Sequence, residues 1–312
     1  MPSKFVSYPS ALCLVGSDYT VRMNDALFEL PSPFDIELGT VKLLEPPESD
    51  ATTLRDDLLA GRYGRPFLIE HDGLLTLYFS LSLVQSTMKT ARPDDLDLAY
   101  TRKMMAFLPF YPRPKALLLL GMGGGSLAKF CYRHLPRANI TMVEIDPDVI
   151  AFRGAFKVPP DNDRFRIHCA DAAAYIHTHT TRTDIIMVDA FDGLGIAPEL
   201  SNPDFYAEAH RVLSANGILV MNLAGDKAGF DDPLAQLAHV FDDRVLSLKV
   251  RDGGNQIAFA FKNPEFHPQW DRLKTVAIEL EKKLGLEFTR YLQNLEKNER
   301  RSFNLPRKSR GR

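Results

Sequence analysis

A chain of 312 residues has room for one large unit or two modest ones, and it can bury a full core without disulfides or a structural metal. Hydrophobic residues at 45%, charged residues at 25% and a net charge of −2 describe an ordinary globular chain and exclude one basic enough for bulk nucleic-acid binding. Three widely spaced cysteines (Cys13, Cys131, Cys169) match neither a disulfide framework nor a zinc cluster and suit a reducing compartment.

The opening residues carry no continuous apolar run that ends in a small-residue cleavage site, so a cytoplasmic location is expected. The longest apolar stretch, 73–84, holds Thr76, Ser80 and Ser82 and is too short to span a bilayer. Within 1–98, strand-like pieces at 34–45, 67–70 and 74–84 are separated by turn signals, among them His71-Asp72-Gly73. The two prolines of 45–50 exclude a strand interior there. This region reads as a small β-rich domain.

From 99 to 263 the pattern changes. Apolar runs at 116–120, 140–143, 165–168, 184–188 and 218–222 lack polar alternation, as strands buried on both faces of a parallel sheet do. Helical stretches at 127–134, 148–156 and 204–213 lie between them, which predicts a doubly wound α/β domain. Strands at 245–250 and 256–261, joined by the turn residues 251–255, predict an antiparallel pair at its end. In 264–312, one long helix is expected over 268–299, packed through Trp270, before a polar, disordered end. Residues 290–312 carry a net +6, leaving −8 on the rest, a balance that would draw cations to the body.

Three segments carry chemistry. The turn Gly121-Met122-Gly123-Gly124-Gly125-Ser126 follows a strand and precedes a helix, where glycines let the backbone approach a ligand. The fingerprint G-x-G-x-x-G is not met, but Glu144 ends the next strand, where a carboxylate can take both hydroxyls of a ribose. Asp171, in Cys169-Ala170-Asp171-Ala172, can accept from an adenine amino group or cap the following helix, and the two roles are compatible. Asp189-Ala190-Phe191-Asp192 puts two carboxylates at the ligand-bearing edge, able to bind and deprotonate a cationic amine.

In order and spacing, these segments resemble the spermidine synthase family, with Val143-Glu144-Ile145-Asp146-Pro147-Asp148 close to its signature and D-x-x-D its catalytic element. Asp72-Gly73, Gln85, Tyr100 and the strand Asn255-Gln256-Ile257 extend the likeness over about 65–262. The resemblance implies a Rossmann-like, class I methyltransferase-like sheet behind a small N-terminal β domain, and a homodimer. It implies a donor site of Gly121, Gly123, Gly125, Glu144, Asp171 and Ala172. It gives Asp189 the catalytic role and assigns amine binding to Asp192, Tyr100 and Gln85. The implied co-substrate is decarboxylated S-adenosylmethionine, with a diamine such as putrescine as acceptor and no permanent cofactor or metal.

Two positions depart from the family. Gly124 stands where the family carries an acid that meets the donor's amine, and Asp252-Gly253 stand where it often has Tyr-Pro. Gly124 keeps a methyltransferase using S-adenosylmethionine itself as the alternative. A third reading is a non-enzymatic nucleoside- or RNA-binding protein that uses the basic tail. His177 and His179 read as a solvated loop, Cys131 as helix core and Cys169 as a small wall residue.

Overall fold

The computed structural model describes residues 27–303, apart from 36, 82, 193–194, 225–226 and 251–253. The N-terminal part is an antiparallel five-stranded sheet. Its strands are β1 (Phe28–Pro31), β2 (Thr40–Leu43), β3 (Phe67–His71), β4 (Leu74–Ser80) and β5 (Leu83–Lys89), paired in that order. Among the described residues of the strand-like piece read over 34–45, only Thr40–Leu43 is a strand, and two further features differ from the sequence reading. The run 74–84 is not one strand but most of a hairpin, because β4 turns back on β5. A helix, α1 (Ala51–Leu59), was also missed: Asp50 caps it by accepting from the Thr53 N–H at 2.9 Å, while only Leu58 on it is buried, so no apolar periodicity announced it.

The second sheet has seven strands in the order β13-β14-β12-β9-β6-β7-β8. They are β6 (Ala116–Leu120), β7 (Asn139–Glu144), β8 (Phe165–Cys169), β9 (Thr183–Val188), β12 (Leu213–Ala224), β13 (Val245–Lys249) and β14 (Asn255–Phe261), with a short hairpin of β10 (Phe191–Asp192) and β11 (Gly195–Ile196) between. Five strands pair in parallel, and β14 inserts antiparallel between β12 and β13. The doubly wound sheet and its antiparallel end follow the sequence reading.

Alternation within β6 shows why such strands look uniformly apolar. Leu117 and Leu119 enter the core on one face, Leu118 and Leu120 the core on the other. On the first face lie α3 (Ser126–His134), with Phe130 and Cys131 buried, and α4 (Pro147–Ala151), which stops short of the expected 156. On the second lie α5 (Ala172–Thr178), α6 (Pro203–Val212) and α7 (Lys227–Val240). Leu68, Leu77 and Met88 of the N-terminal sheet share the first core with Leu119, Phe130 and Phe156. Arg65 adds a polar tie, with Nε and Nη2 each 2.8 Å from the carboxylate of Asp148 on α4. The helix expected over 268–299 is two, α8 (Trp270–Leu284) and α9 (Phe288–Phe303), broken where Gly285 takes φ +70°. Trp270 does anchor this end, edge-on to Phe110 and donating to Glu299 at 2.8 Å. The polar end at 304–312 and the turn residues 251–253 lie outside the described residues.

Candidate active site

The carboxyl ends of β6, β7, β8, β9 and β12 meet at one edge, where an open α/β sheet leaves a crevice. The turn after β6 is pinned there: the Gly121 N–H donates to Val143 O at 2.9 Å, and the Asp189 N–H to Leu120 O at 2.9 Å. Gly121 takes φ +95°, and a Cβ at that position would overlap the Asp189 carbonyl. Only glycine lets the turn lie directly on the segment after β9.

Glu144 closes the turn from the β7 side. One carboxylate oxygen accepts from the Met122 N–H at 2.8 Å, the other from the Asp146 N–H at 3.0 Å. Burial raises its pKa and these N–H donors oppose the rise. Next to it Ile145 is a large apolar side chain that stands 63% exposed. The Ala170 N–H donates to Glu144 O at 2.9 Å, which brings 170–172 to the same edge. There Asp171 caps α5, accepting from the Ala174 N–H at 2.7 Å, and is otherwise exposed. Its capping role is thus present, while its carboxylate is not bonded to Glu144's side of the turn.

Asp189 is held from two sides. Asn222 Nδ2 donates to its Oδ1 at 2.8 Å, and the Tyr100 hydroxyl on α2 (Ala99–Met104) donates to the same carboxylate. Asn255 Nδ2 in turn donates to Asn222 Oδ1 at 2.9 Å, so the Asn222 amide can present only its NH2 to Asp189. Burial pushes Asp189 up to about 6, against these two donors. Burial and the nearby Asp189 charge push Tyr100 well above its ordinary value, keeping it a neutral donor. Asn222 and Asn255 were missed in the sequence. The available signal was a polar residue inside the apolar run of β12, which must find a buried partner.

Gln85 lies where the β4–β5 register slips, between the pairs Leu77↔Ser86 and Tyr78↔Val84, so it is the extra residue of a bulge. Its neighbour Ser86 is buried against the glycine turn, 3.5 Å from a Cβ built at Gly123. The backbone of Asp192 pairs with Gly195, and its side chain lies outside the described residues. His177 faces Glu208 at 3.5 Å and His179 stacks on Tyr175 at 5.4 Å. Among the described residues no cluster of His, Cys, Asp and Glu could hold a metal, and no helix is long and apolar enough to cross a membrane.

A spermine/spermidine synthase domain model matches residues 98–228. A polyamine aminopropyltransferase of Chromobacterium violaceum is 39% identical over 72% of this chain and 87% of its own length. The chain belongs to the spermine/spermidine synthase family. A probable spermidine synthase of Corynebacterium glutamicum shares the fold, with TM-score 0.59 and 22% identity over 69% of this chain and 84% of that one. Human methyltransferase-like protein 13, crystallised with S-adenosylhomocysteine, gives TM-score 0.55 and 28% identity over 60% of this chain and 93% of its own. The family therefore has its glycine turn, Glu144 and Asp189 on one edge here, with Tyr100 reaching that edge from outside the sheet.

Proposed function

We propose that this enzyme moves an aminopropyl group from decarboxylated S-adenosylmethionine to a terminal amine of a diamine such as putrescine, releasing methylthioadenosine. The observation that carries the reading is Asp189, whose backbone lies directly against the glycine turn and whose carboxylate is held by Asn222 and Tyr100, with Glu144 on the turn's other flank. Glu144 accepts the ribose hydroxyls, Ile145 packs on the adenine, and Asp171 with Ala172 meets its edge. The likeness to named polyamine aminopropyltransferases supports the same assignment.

The chemistry asks for a free amine beside an electrophilic carbon. With a reference pKa of about 10.4, on the order of one alkylamine in a thousand is free base at neutral pH. Asp189, pushed up to about 6, remains mostly ionised at pH 7 and is a better base than an exposed aspartate. It takes a proton from the ammonium. The amine lone pair then attacks the carbon on the sulfonium, the C–S bond breaks, and its electrons neutralise the sulfur. Tyr100 and Asn222 hold the carboxylate on line, while Gln85 and Asp192 bind the distant amine. Positioning accounts for much of the acceleration.

Gly124 favours a second reading, methyl transfer from S-adenosylmethionine, and the likeness to a methyltransferase bound to S-adenosylhomocysteine goes with it. Incubation with each donor and a putrescine, cadaverine and spermidine pool separates the two by mass spectrometry. Methylthioadenosine with an aminopropylated amine is the expected result. S-adenosylhomocysteine with a methylated product would overturn the first reading in favour of the second. The proposal includes a cytoplasmic homodimer; exposed Leu59, Phe79 and Leu81 around one groove of about 160 Å³ supply an apolar face for it, and sedimentation tests it.

A further inference from the structure

The Glu144 carboxylate is fixed from two sides. Its Oε2 accepts from the glycine turn, through the Met122 N–H at 2.8 Å, and its Oε1 from the Asp146 N–H at 3.0 Å, so each oxygen keeps a lone pair for a hydroxyl. The glycine turn is itself pinned, by the Gly121 N–H to Val143 O. The other side, 145–148, is the entry to α4. That helix has five residues, too few to hold their own shape, and of them only Val149 is buried. A group outside α4 has to fix its entry.

Arg65, in the connection between α1 and β3, is such a group. Its Nε and Nη2 fork onto Oδ2 and Oδ1 of Asp148, both at 2.8 Å. Its Nη1 reaches back to the end of β2, donating to Glu45 Oε1 at 3.0 Å and to the Leu44 carbonyl. The Asp148 N–H in turn donates to Asp146 Oδ1 at 2.8 Å, and the Asp146 N–H is the one that reaches Glu144. An unbroken series of bonds therefore runs from Arg65 through Asp148 and Asp146 to Glu144, and Ile145 lies within the span it holds. The guanidinium is also the cation of this corner. The ion pairs of Glu45 and Asp148 both run to it. Burial raises the Asp146 carboxyl, and the Arg65 charge is among the influences that oppose the rise.

We propose that Arg65 is a positioning residue for the donor: by clamping Asp148 it sets the 145–148 segment, and through it the Glu144 carboxylate and Ile145, in the geometry that takes a nucleoside. The N-terminal part of the chain thereby sets donor affinity through a series of bonds rather than by contact with the donor. The fork matters as well as the charge, because two parallel N–H bonds fix the direction of the Asp148 carboxylate and a point charge does not. This rests on the donor reading proposed above, with Glu144 on the ribose. Methylthioadenosine, the nucleoside product, tests that reading without turnover.

Calorimetric titration of the full chain with methylthioadenosine, beside donor kinetics, decides it. Arg65→Met should weaken methylthioadenosine about tenfold or more and raise KM for decarboxylated S-adenosylmethionine to match, with kcat within about twofold. Arg65→Lys keeps the charge and loses the fork, and should fall between the parent and Arg65→Met. Asp148→Asn keeps the backbone N–H to Asp146 but leaves the guanidinium one acceptor oxygen. It should weaken methylthioadenosine similarly, and the double variant Arg65→Met, Asp148→Asn no further than the worse single one. Tyr63→Phe removes a 3.0 Å hydroxyl bond to Glu45 in the same corner but off the route to Glu144, and should keep the parental affinity. An equal loss in Tyr63→Phe, additive losses in the double variant, or a fall in kcat with donor KM unchanged would mean general loosening and overturn the proposal. Affinities within about twofold of the parent in every folded variant overturn it too and leave the function intact. If the parent does not bind methylthioadenosine, the donor reading and the inference fall together. Should Arg65→Met not fold, Arg65→Lys and Asp148→Asn decide by the same measures.

Discussion

Replacing Asp189 by Asn should abolish turnover and make the protein more stable, with a pH dependence that identifies the cause. In the folded protein burial pushes Asp189 up to about 6 from 3.8, a displacement equivalent to roughly 3 kcal/mol. The sign follows from proton counts. Between pH 4 and 6 the folded state holds a proton that the unfolded state has lost, so stability falls as pH rises through this window. The full cost is present above about pH 6 and absent below the unfolded value. Asparagine at 189 carries no such cost, and its Oδ1 can still accept from Asn222 and Tyr100. Asp189→Asn should therefore match the parent near pH 4 and exceed it by about 1–3 kcal/mol at pH 7.5, several degrees in Tm. Activity should fall about a hundredfold or more, as expected for loss of a positioned base. Thermal melts of both proteins from pH 4 to 8 provide the assay. A variant less stable than the parent at pH 7.5, or a Tm difference flat across pH, would refute the argument that Asp189 is a strained buried carboxylate. In the parent, putrescine should narrow the gap, because its ammonium compensates the charge.

Other parts of the site can be tested as directly. Asn222→Ala removes a donor that holds Asp189 down and leaves Asn255 unpartnered; the acidic limb of the rate profile should move above about 6, at a loss of about 1–3 kcal/mol in denaturant melts. Gly121→Ala forces a Cβ onto the Asp189 carbonyl at φ +95° and should cost at least about 1–3 kcal/mol and eliminate methylthioadenosine binding, read by calorimetry. Arg65→Met breaks the bidentate tie to Asp148 and should speed hydrogen exchange in β2 and β3. Unchanged exchange there would mean that core packing alone seats the N-terminal sheet.

Much of this was legible in the sequence for physical reasons. A strand buried on both faces has to be apolar at every position, so β6, β7, β9 and part of β12 stood out as short unbroken runs. A backbone that must lie on another backbone has to be glycine, so the turn at 121–125 stood out as well. Other features depended on partners distant in the chain. Nothing near Asn222 in sequence says that it meets Asp189, 33 positions away, and the cap of α1 is a local bond on a helix with almost no buried face. The break between α8 and α9 was visible as Gly285, yet a glycine in a helical pattern does not itself say whether the helix ends there.

Gly124 is the clearest case of what local pattern omits. Gly124 read as the loss of an acid, a change at one position. In the structure it is one member of a packed set with Ser86, Lys129 and Phe156, drawn from the N-terminal sheet, the helix after the turn and the loop after α4. A side chain placed at 124 would press on Ser86 and Phe156. Glu144 and Asp189, the proposed ribose anchor and base, sit on other connections, at the end of β7 and just after β9. The proposed tasks of nucleoside binding and proton transfer are thus carried by separate segments that meet at one sheet edge.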